Sequence, residues 1–292
     1  MSTDPTPERV ADTRCETGEG PLWHPDERVV YFVDIPKGRL YAYDPDADDH
    51  ELVYETDVIG GFTIERDGAL LLFEDGGTVE RWTPDDGASG VIDVSDAFPE
   101  AGGTRFNDVI ADPEGRVFAG TMPTEDRLGA LYRLDPDGSV DRVIEGVDVS
   151  NGMGFPPGLE TFYYTESEAK TVYRYDYDRA TGAVAGREPW VTVDEGIPDG
   201  MTVDETGYVW SARWNGSALY RYSPEGEQVG VVGFPARKVS SVTFGGPGYE
   251  GAYVTTAGGG SRETEGKGAG ALFRVDLDAR GVAEFRSAVA GE

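Results

Sequence analysis

The chain has 292 residues and a formal net charge of −30, from 55 acidic and 25 basic side chains. A charge of this sign and size repels nucleic-acid phosphates and anionic membrane surfaces, so we expect neither nucleic acid nor membrane as a partner. The acidic residues are spread through almost every loop and lysines are few, a composition typical of an extreme halophile, because molar salt screens the repulsion between surface charges.

The N-terminal segment shows no membrane signal. MSTDPTPERVADT lacks the apolar core of a secretory leader, and no run of about 18 apolar residues occurs along the chain. Cys15 is the single cysteine, which excludes an intramolecular disulfide and a multi-cysteine metal site. We therefore expect a soluble, cytoplasmic protein, and we expect it to be a monomer.

Six copies of one unit follow. Each copy pairs two alternating apolar stretches: VVYFVDI with GRLYAYDPD, GALLLFED with GTVERWTPDDG, GRVFAGTM with GALYRLDPDG, TFYYTES with KTVYRYDYD, GYVWSAR with SALYRYSPEG, and GAYVTTA with GALFRVDLD. Alternation with period two, broken by Asp-Gly and Pro-Glu-Gly turns, predicts strands. Equivalent positions recur every 40 to 48 residues, the length of a four-stranded blade: Leu22, Phe62, Val109, Met153, Met201 and Val242. We predict one all-β domain over residues 1–292, a six-bladed β-propeller.

A ring of blades must close on itself. We expect the N-terminal segment, about residues 8 to 16 and centred on Val10 to Cys15, to close the ring by pairing with C-terminal strands around Val282 to Val289. No stretch combines helical periodicity with caps, so we expect no helical subdomain.

One position is repeated at the start of the innermost strand of the predicted blades. It lies eleven residues before an apolar strand residue in five units, with a less certain register in the sixth, and its occupants are Glu19, Gly60, Asn107, Asn151, Asp199 and Ser240. Innermost strands line the channel of a propeller, so the polar members are predicted to converge. Convergent carboxylate and amide oxygens favour a hard divalent cation, since buried alone they would repel or stay unsatisfied. The alternative for any one of them is a turn former at a strand start.

At these residues the sequence resembles the regucalcin (senescence marker protein 30)/gluconolactonase family of six-bladed propeller lactonases. The likeness runs nearly end to end, through GEGPLWHPDERVVYFVDIPKGRLYAYDP, RFNDVIADPEGRVFAGTM, SNGMGF, IPDGMTVDETGYVW, WNGSALYRYSPEG and FGGPGYEGAYVTTA. The resemblance implies that Glu19, Asn151 and Asp199 hold one divalent cation, and that Arg105 and Asn107 hold a sugar lactone.

The resemblance also assigns Glu125, in the loop MPTEDRLGAL, to the substrate hydroxyls. The loop from Met122 to Gly129 is shorter than in the animal members of the family. We therefore expect the lid over the sugar to differ from theirs. We choose Asp199 as the catalytic general base because a carboxylate at the edge of the cation can take the proton of the attacking water. An oxygen-rich ligand set with an amide admits Ca²⁺, Mn²⁺, Mg²⁺ or Zn²⁺.

Two other signals are weaker. The acids of DPDADDHELVYE, from Asp44 to Glu55, imitate a calcium loop, but Asp49 stands where that loop needs glycine, and an acidic turn is the interpretation we favour. The Gly-rich segment from Ala257 to Gly270 opens no helix, so we predict a long loop instead of a phosphate cradle.

We therefore predict metal-dependent hydrolysis of a sugar-acid lactone, such as a xylono-, arabinono-, glucono- or galactonolactone, to the aldonic acid. The resemblance places this reaction in oxidative sugar breakdown. Two alternatives stay open: a calcium-dependent hydrolase of another ester class on the same scaffold, and a propeller that binds calcium or another ligand without turnover.

Overall fold

Each predicted repeat forms a four-stranded antiparallel sheet in the computed structural model, which describes residues 5–94 and 103–290. Blade 1 holds β2 (Gly18–His24), β3 (Val29–Asp34), β4 (Arg39–Asp44) and β5 (Asp49–Glu55), and blade 2 holds β6 (Gly61–Ile64), β7 (Leu70–Phe73), β8 (Thr78–Thr83) and β9 (Gly87–Asp93). Blade 3 holds β10 (Phe106–Ala111), β11 (Val117–Thr121), β12 (Gly129–Leu134) and β13 (Val140–Val147).

Blade 4 holds β14 (Ser150–Gly154), β15 (Thr161–Glu166), β16 (Thr171–Asp178) and β17 (Ala183–Thr192), and blade 5 holds β18 (Ile197–Val203), β19 (Val209–Trp214), β20 (Ala218–Tyr222) and β21 (Gln228–Gly233). Blade 6 combines β22 (Lys238–Gly245), β23 (Gly251–Ala257) and β24 (Leu272–Asp276) with β1 (Glu8–Ala11) from the start of the chain. The first strand of every blade contacts the first strands of its two neighbours, so these six strands surround the axis. The predicted six-bladed β-propeller is confirmed.

The core lies between the blades. Strand β7 reads LLLF and is buried at all four positions, because both of its faces pack against a neighbouring sheet. Phe73 of blade 2 meets Phe106 of blade 3 edge to face, with ring centroids 5.3 Å apart, the geometry that aromatic pairs prefer. The outermost strand β21, QVGVVG, is mostly exposed. The apolar stretches of each repeat therefore hold the blades to one another.

Buried aspartates end the first strand of some blades. Asp112 accepts the backbone N–H groups of Glu114 and Arg116, and Asp204, at the same repeat position, accepts those of Thr206 and Tyr208. Such turns let the carboxylate replace a backbone partner. They fix where the second strand begins.

The ring closes with a different partner from the one predicted. The segment Glu8–Ala11 pairs antiparallel with Leu272–Asp276, so the expectation of pairing with Val282 to Val289 is wrong. Residues 282–289 instead leave the sheet and cross one face of the propeller. The ring of polar side chains formed by Glu19, Asn107, Asn151 and Asp199, called the polar ring below, lies at the opposite face. The prediction failed because β24 (Leu272–Asp276) is the last strand of blade 6 and already offers its free edge to the N-terminal segment.

We call residues 280–290 the C-terminal strap. The N–H of Ser287 donates to Ile64 O in blade 2, and the N–H of Ala288 donates to Gly115 O in blade 3. At the other end of the strap, Gly281 donates to Tyr249 O in blade 6. The strap thus ties non-adjacent blades together across the axis.

The other sequence expectations concern loops. Within the Gly-rich loop the structure places a 3-10 turn (Gly259–Ser261) and a one-turn helix, α1 (Arg262–Glu265), which the sequence analysis did not predict. The acidic segment forms the hairpin between β4 and β5, where Asp44 Oδ1 accepts the N–H groups of Asp46 and Ala47, as expected for a turn. No helix in the described parts of the chain is long and apolar enough to cross a bilayer.

The buried carboxylate of Glu65 gives a test of the strap. Its Oε1 accepts the N–H groups of Val289 and Ala290 at 3.0 and 3.2 Å. Glu65→Ala would leave both donors without this acceptor, and we expect the free energy of unfolding to fall by about 2 kcal/mol. Chemical denaturation in molar KCl measures the change, with the exposed Glu227→Ala as control. Equal stability of the two variants would show that the strap does not stabilise the ring.

Candidate metal and active site

The polar ring lies at β-bulges. The register between the first and second strands shifts next to Glu19, Asn107, Asn151 and Asp199, whereas β6, which carries no polar member, pairs regularly with β7. A bulge bends its strand and redirects a side chain. These bulges turn the four polar side chains out of the blade and towards the axis.

Two glycines follow this position because there is no room for a side chain. A Cβ on Gly152 would lie 2.6 Å from Asp199 O and 2.7 Å from Met201 N, and one on Gly200 would lie 2.2 Å from Ser241 Oγ. Each glycine therefore lets the innermost strand of the next blade come close. The Asn151-Gly152 and Asp199-Gly200 pairs in the sequence combine a site residue with the space that its neighbouring blade needs.

Five of the predicted site residues line one cavity of about 300 Å³ at the mouth of the channel. They are Glu19, Arg105, Asn107, Asn151 and Asp199. Both carboxylates and both amides are less than a tenth exposed. The fold therefore brings these five side chains together although they are far apart along the chain.

A chain of hydrogen bonds runs through the site. Arg105 Nη1 donates to Asn107 Oδ1 at 2.6 Å, and Asn107 Nδ2 donates to Asn151 Oδ1 at 3.2 Å and to Ser150 O at 2.6 Å. Asn151 Nδ2 then donates to Ser167 Oγ at 2.9 Å. Both amides have defined orientations as a result, because each oxygen and each nitrogen has a partner of the opposite kind.

Burial and neighbouring negative charges disfavour the ionised forms of the two carboxylates, Glu19 and Asp199. Burial raises the pKa of Glu19 well above its usual range, and the charges of Asp199 and Asp108 raise it further. Burial also raises the pKa of Asp199, again with a contribution from Asp108. Desolvation lowers the pKa of Arg105, and the two carboxylates oppose that change. A second positive group at this position would stabilise both anions.

The donor set fits a divalent cation. Among residues 5–94 and 103–290 no three His, Cys, Asp or Glu side chains come together, so the two carboxylates need another oxygen. Asn151 Oδ1 accepts one long hydrogen bond from Asn107 and has a second lone pair. Two buried carboxylates and one amide oxygen are ligands of the kind that Ca²⁺ and Mg²⁺ prefer.

Three polar residues, Ser240, Glu125 and Arg213, lie outside this cavity. Ser240 Oγ donates to Gly18 O at 2.6 Å, which links blade 6 to blade 1. Glu125 is exposed in the loop between β11 and β12 and does not line the cavity. Arg213 is buried outside the cavity and donates to Ser211 Oγ and Tyr222 OH.

Other lining residues were missed by sequence reasoning. Ser167 Oγ accepts from Asn151 and donates to Pro198 O at 2.6 Å, and Trp214 and Glu168 form part of the cavity wall. The position of Ser167, directly after the strand that pairs with β14, was the one available signal. Nothing in the one-dimensional pattern separates Glu168 from the many other acids in loops.

The channel continues below the cavity to the strap. Asp108 and Glu284 line a second, narrow cavity together with apolar residues of the innermost strands. Burial raises the pKa of Asp108 to about 6, and burial together with the charge of Asp108 raises that of Glu284 to about 7. The strap therefore closes the channel with an acidic group on its axis.

Comparison with known proteins places this geometry in a family. A family model described as "SMP-30/Gluconolactonase/LRE-like region" matches residues 17–258. A pentonolactonase from Haloferax volcanii is 52% identical over 290 residues, which cover 96% of this chain and 98% of that protein. Regucalcin from Xenopus laevis is 34% identical, with 94% of this chain and 96% of that protein covered.

Solved structures have the same architecture. A luciferin-regenerating enzyme superposes with a TM-score of 0.87 at 27% identity, over 97% of this chain and 99% of that one. A calcium-binding protein, regucalcin, from Agrobacterium tumefaciens also gives a TM-score of 0.87, at 21% identity over 98% of this chain and 99% of that one. At that identity the second likeness supports the fold alone.

The close contact at Gly152 gives a test of how the site is built. We expect Gly152→Ala to lower the free energy of unfolding by about 1–3 kcal/mol, and to weaken binding of Ca²⁺ because the backbone of Asp199 must move. Denaturation and calorimetric titration with Ca²⁺ measure the two effects. Gly233→Ala is the matched control, since a Cβ there meets no atom within 4 Å. If the two variants behave alike, the spacing of the inner strands does not position the ligands.

Proposed function

This chain belongs to the SMP-30/gluconolactonase/LRE-like family, and from that membership we propose that it hydrolyses sugar-acid lactones with the help of one divalent cation. It is a lactonase, and so a carboxylic ester hydrolase. The observation that carries the metal-dependent part of the proposal is the convergence of Glu19, Asn151 and Asp199 beside Arg105 and Asn107 in one cavity.

In the proposed reaction water adds to the carbonyl carbon of the lactone, the ring C–O bond breaks, and the ring oxygen leaves as a hydroxyl group. A cation held by Glu19, Asn151 and Asp199 would supply Lewis acidity towards the carbonyl. Asp199 takes the proton from the attacking water and returns it to the ring oxygen. The single product of lactone and water is the open-chain aldonic acid.

Arg105 and Asn107 hold the substrate in this proposal. The Nη1 group of the Arg105 guanidinium donates to Asn107 Oδ1 and to Phe106 O, and the donors on Nε and Nη2 suit hydroxyl and carbonyl oxygens. An apolar ester would leave these buried polar groups unsatisfied, which favours a polyhydroxylated substrate. Ser167 fixes the amide of Asn151 and thereby the orientation of its oxygen.

The substrates that we propose are xylono-, arabinono-, glucono- and galactonolactones. The Haloferax volcanii relative is named a pentonolactonase. This name favours the five-carbon lactones over the six-carbon lactones as substrates. Glu125 stays a predicted contact to substrate hydroxyls, and from its exposed position it would need the loop to move over the cavity.

The first test is acid release from these four lactones in molar KCl, followed in a pH-stat against spontaneous hydrolysis. We expect removal of the metal with a chelator to bring the rate down to the spontaneous value, because the carbonyl then lacks its Lewis acid. Restoring Ca²⁺, Mn²⁺, Mg²⁺ or Zn²⁺ separately should return activity and identify the preferred ion. A folded, cation-loaded protein that accelerates none of the four would refute the proposal.

Asp199→Asn separates a catalyst from a binder within the same experiment. Its amide can still offer an oxygen to the cation but cannot take a proton, so turnover should fall about 1000-fold. Glu227→Gln, which removes the same charge at an exposed position outside the cavity, is the matched control. An aryl ester in the panel checks the other ester class.

The surface charge supports a salt-rich working environment. We propose that the protein is halophilic and acts in the cytoplasm, on the basis of its net charge of −30. Dilution from molar to 0.1 M KCl lengthens the Debye length from about 3 Å to about 10 Å, so repulsion between surface acids should lower the melting temperature. Calorimetric scans across this range measure it, and an unchanged melting temperature would contradict the assignment.

A further inference from the structure

Part of the cavity wall is formed by two residues that the proposed mechanism does not use. Glu168 lies in the turn between β15 and β16 of blade 4, and Trp214 ends β19 of blade 5. Both line the cavity that holds the candidate cation ligands. Blades 4 and 5 are neighbours, so the two side chains belong to one side of the cavity.

Glu168 stands on a rigid turn. The N–H of Ser167 donates to Val149 O, and the N–H of Lys170 donates back to Ser167 O. The hydroxyl of Ser167 is bonded to Asn151 on one side and to Pro198 O on the other. The backbone that carries Glu168 is therefore anchored to the strands that carry two candidate ligands, Asn151 and Asp199.

The carboxylate of Glu168 has no protein partner. Within the described ranges no cation lies at ion-pair distance from it, although neighbouring Glu166 is paired with Arg187 at 2.7 Å. Glu168 is exposed at the rim. An unpaired carboxylate on an anchored backbone at the mouth of a cavity accepts hydrogen bonds from incoming hydroxyl groups and opposes an incoming anion.

Trp214 offers an apolar surface beside it. The ammonium of Lys238 lies 4.9 Å from the centroid of the Trp214 ring, a cation–π distance. Glu265 holds that ammonium at 3.3 Å. Trp214 also pairs in register with Ile197, another lining residue. The ring is therefore held in place, and its apolar face suits the C–H groups of a sugar ring.

We propose that Glu168 and Trp214 select the substrate class: neutral lactones with free ring hydroxyls are accepted, and lactones that carry a second carboxylate are rejected. Glu168 accepts hydrogen bonds from hydroxyls remote from the carbonyl, and Trp214 packs against the ring. This inference rests on the proposed lactonase function. Because the inference concerns specificity, its test does not depend on which cation the protein binds.

The test compares three lactones with the same five-membered ring. They are a neutral pentono-1,4-lactone, an aldaro-1,4-lactone with a free carboxylate, and γ-butyrolactone, which has no hydroxyl groups. For the wild type we expect kcat/KM to be highest with the neutral hydroxylated lactone. Hydrolysis of that lactone by the wild type also tests the proposed function, before any variant is considered.

Glu168→Gln keeps the size of the side chain and removes its charge. We expect kcat/KM for the pentonolactone to fall about 5-fold, the value for the aldarolactone to rise about 2-fold or more, and the value for γ-butyrolactone to change less than about 2-fold, as expected when a charge-assisted contact to hydroxyls is lost. The ratio between the neutral and the carboxylate lactone should therefore fall at least 10-fold. Glu227→Gln should leave this ratio unchanged.

Trp214 has its own pair of variants. We expect Trp214→Ala to raise KM for the pentonolactone about 10-fold with kcat within 2-fold, and Trp214→Phe to retain most of the affinity, because a smaller ring still packs on the sugar. KM, and the ratio of kcat/KM between two lactones, do not depend on how much of each variant is folded, and kcat is referred to the folded fraction.

The outcomes are distinct. If the wild type hydrolyses none of the lactones, the proposed function has failed. If the wild type is active and Glu168→Gln leaves the ratio unchanged, the inference is overturned while the proposed function stands. Glu125→Gln decides between the two acids: a change of the ratio in that variant instead of Glu168→Gln would mean that the exposed loop, and not the turn after β15, selects the substrate.

Discussion

The close approach of the six innermost strands around one axis is the constraint on which the rest of the structure depends. Strands in a blade present alternate side chains to the two neighbouring blades. The side chains of a regular strand therefore do not point towards the axis of the channel. The bulges beside Glu19, Asn107, Asn151 and Asp199 change this locally, and Gly152 and Gly200 leave room for the next strand. The site is a product of how tightly the ring is packed.

This packing also couples the site to the blades. The hydrogen-bonded chain from Arg105 through Asn107, Asn151 and Ser167 to Pro198 O crosses from blade 3 through blade 4 to blade 5. A shift of one blade against its neighbour would lengthen at least one of these bonds. The groups that line the cavity are held by contacts between repeats, which is why two buried carboxylates with raised pKa values can be kept together.

The repeat explains how much the sequence could predict. Asn107, Asn151 and Asp199 were found because the same strand recurs in register, so one position in the repeat marks one place in space. Features that occur once could not be predicted in this way. Strand β1 pairs with Leu272–Asp276 and not with the strap, and the guanidinium of Arg213 packs against the rings of Tyr220 and Tyr222. The predicted role of Glu125 came from a resemblance in a loop whose length differs, where the repeat offers no register.

The charge of the chain accounts for the remaining omission. In a protein with 55 acidic residues, an acidic residue in a turn is the ordinary case. What separates Glu168 from these is its surroundings: a turn anchored by Ser167 beside the candidate ligand Asn151, and a place on the wall of a cavity. Those properties come from contacts between segments that are distant in sequence. An acidic surface thus hides from sequence reasoning the carboxylate to which we assign a role in specificity, and only the packing of the blades distinguishes it.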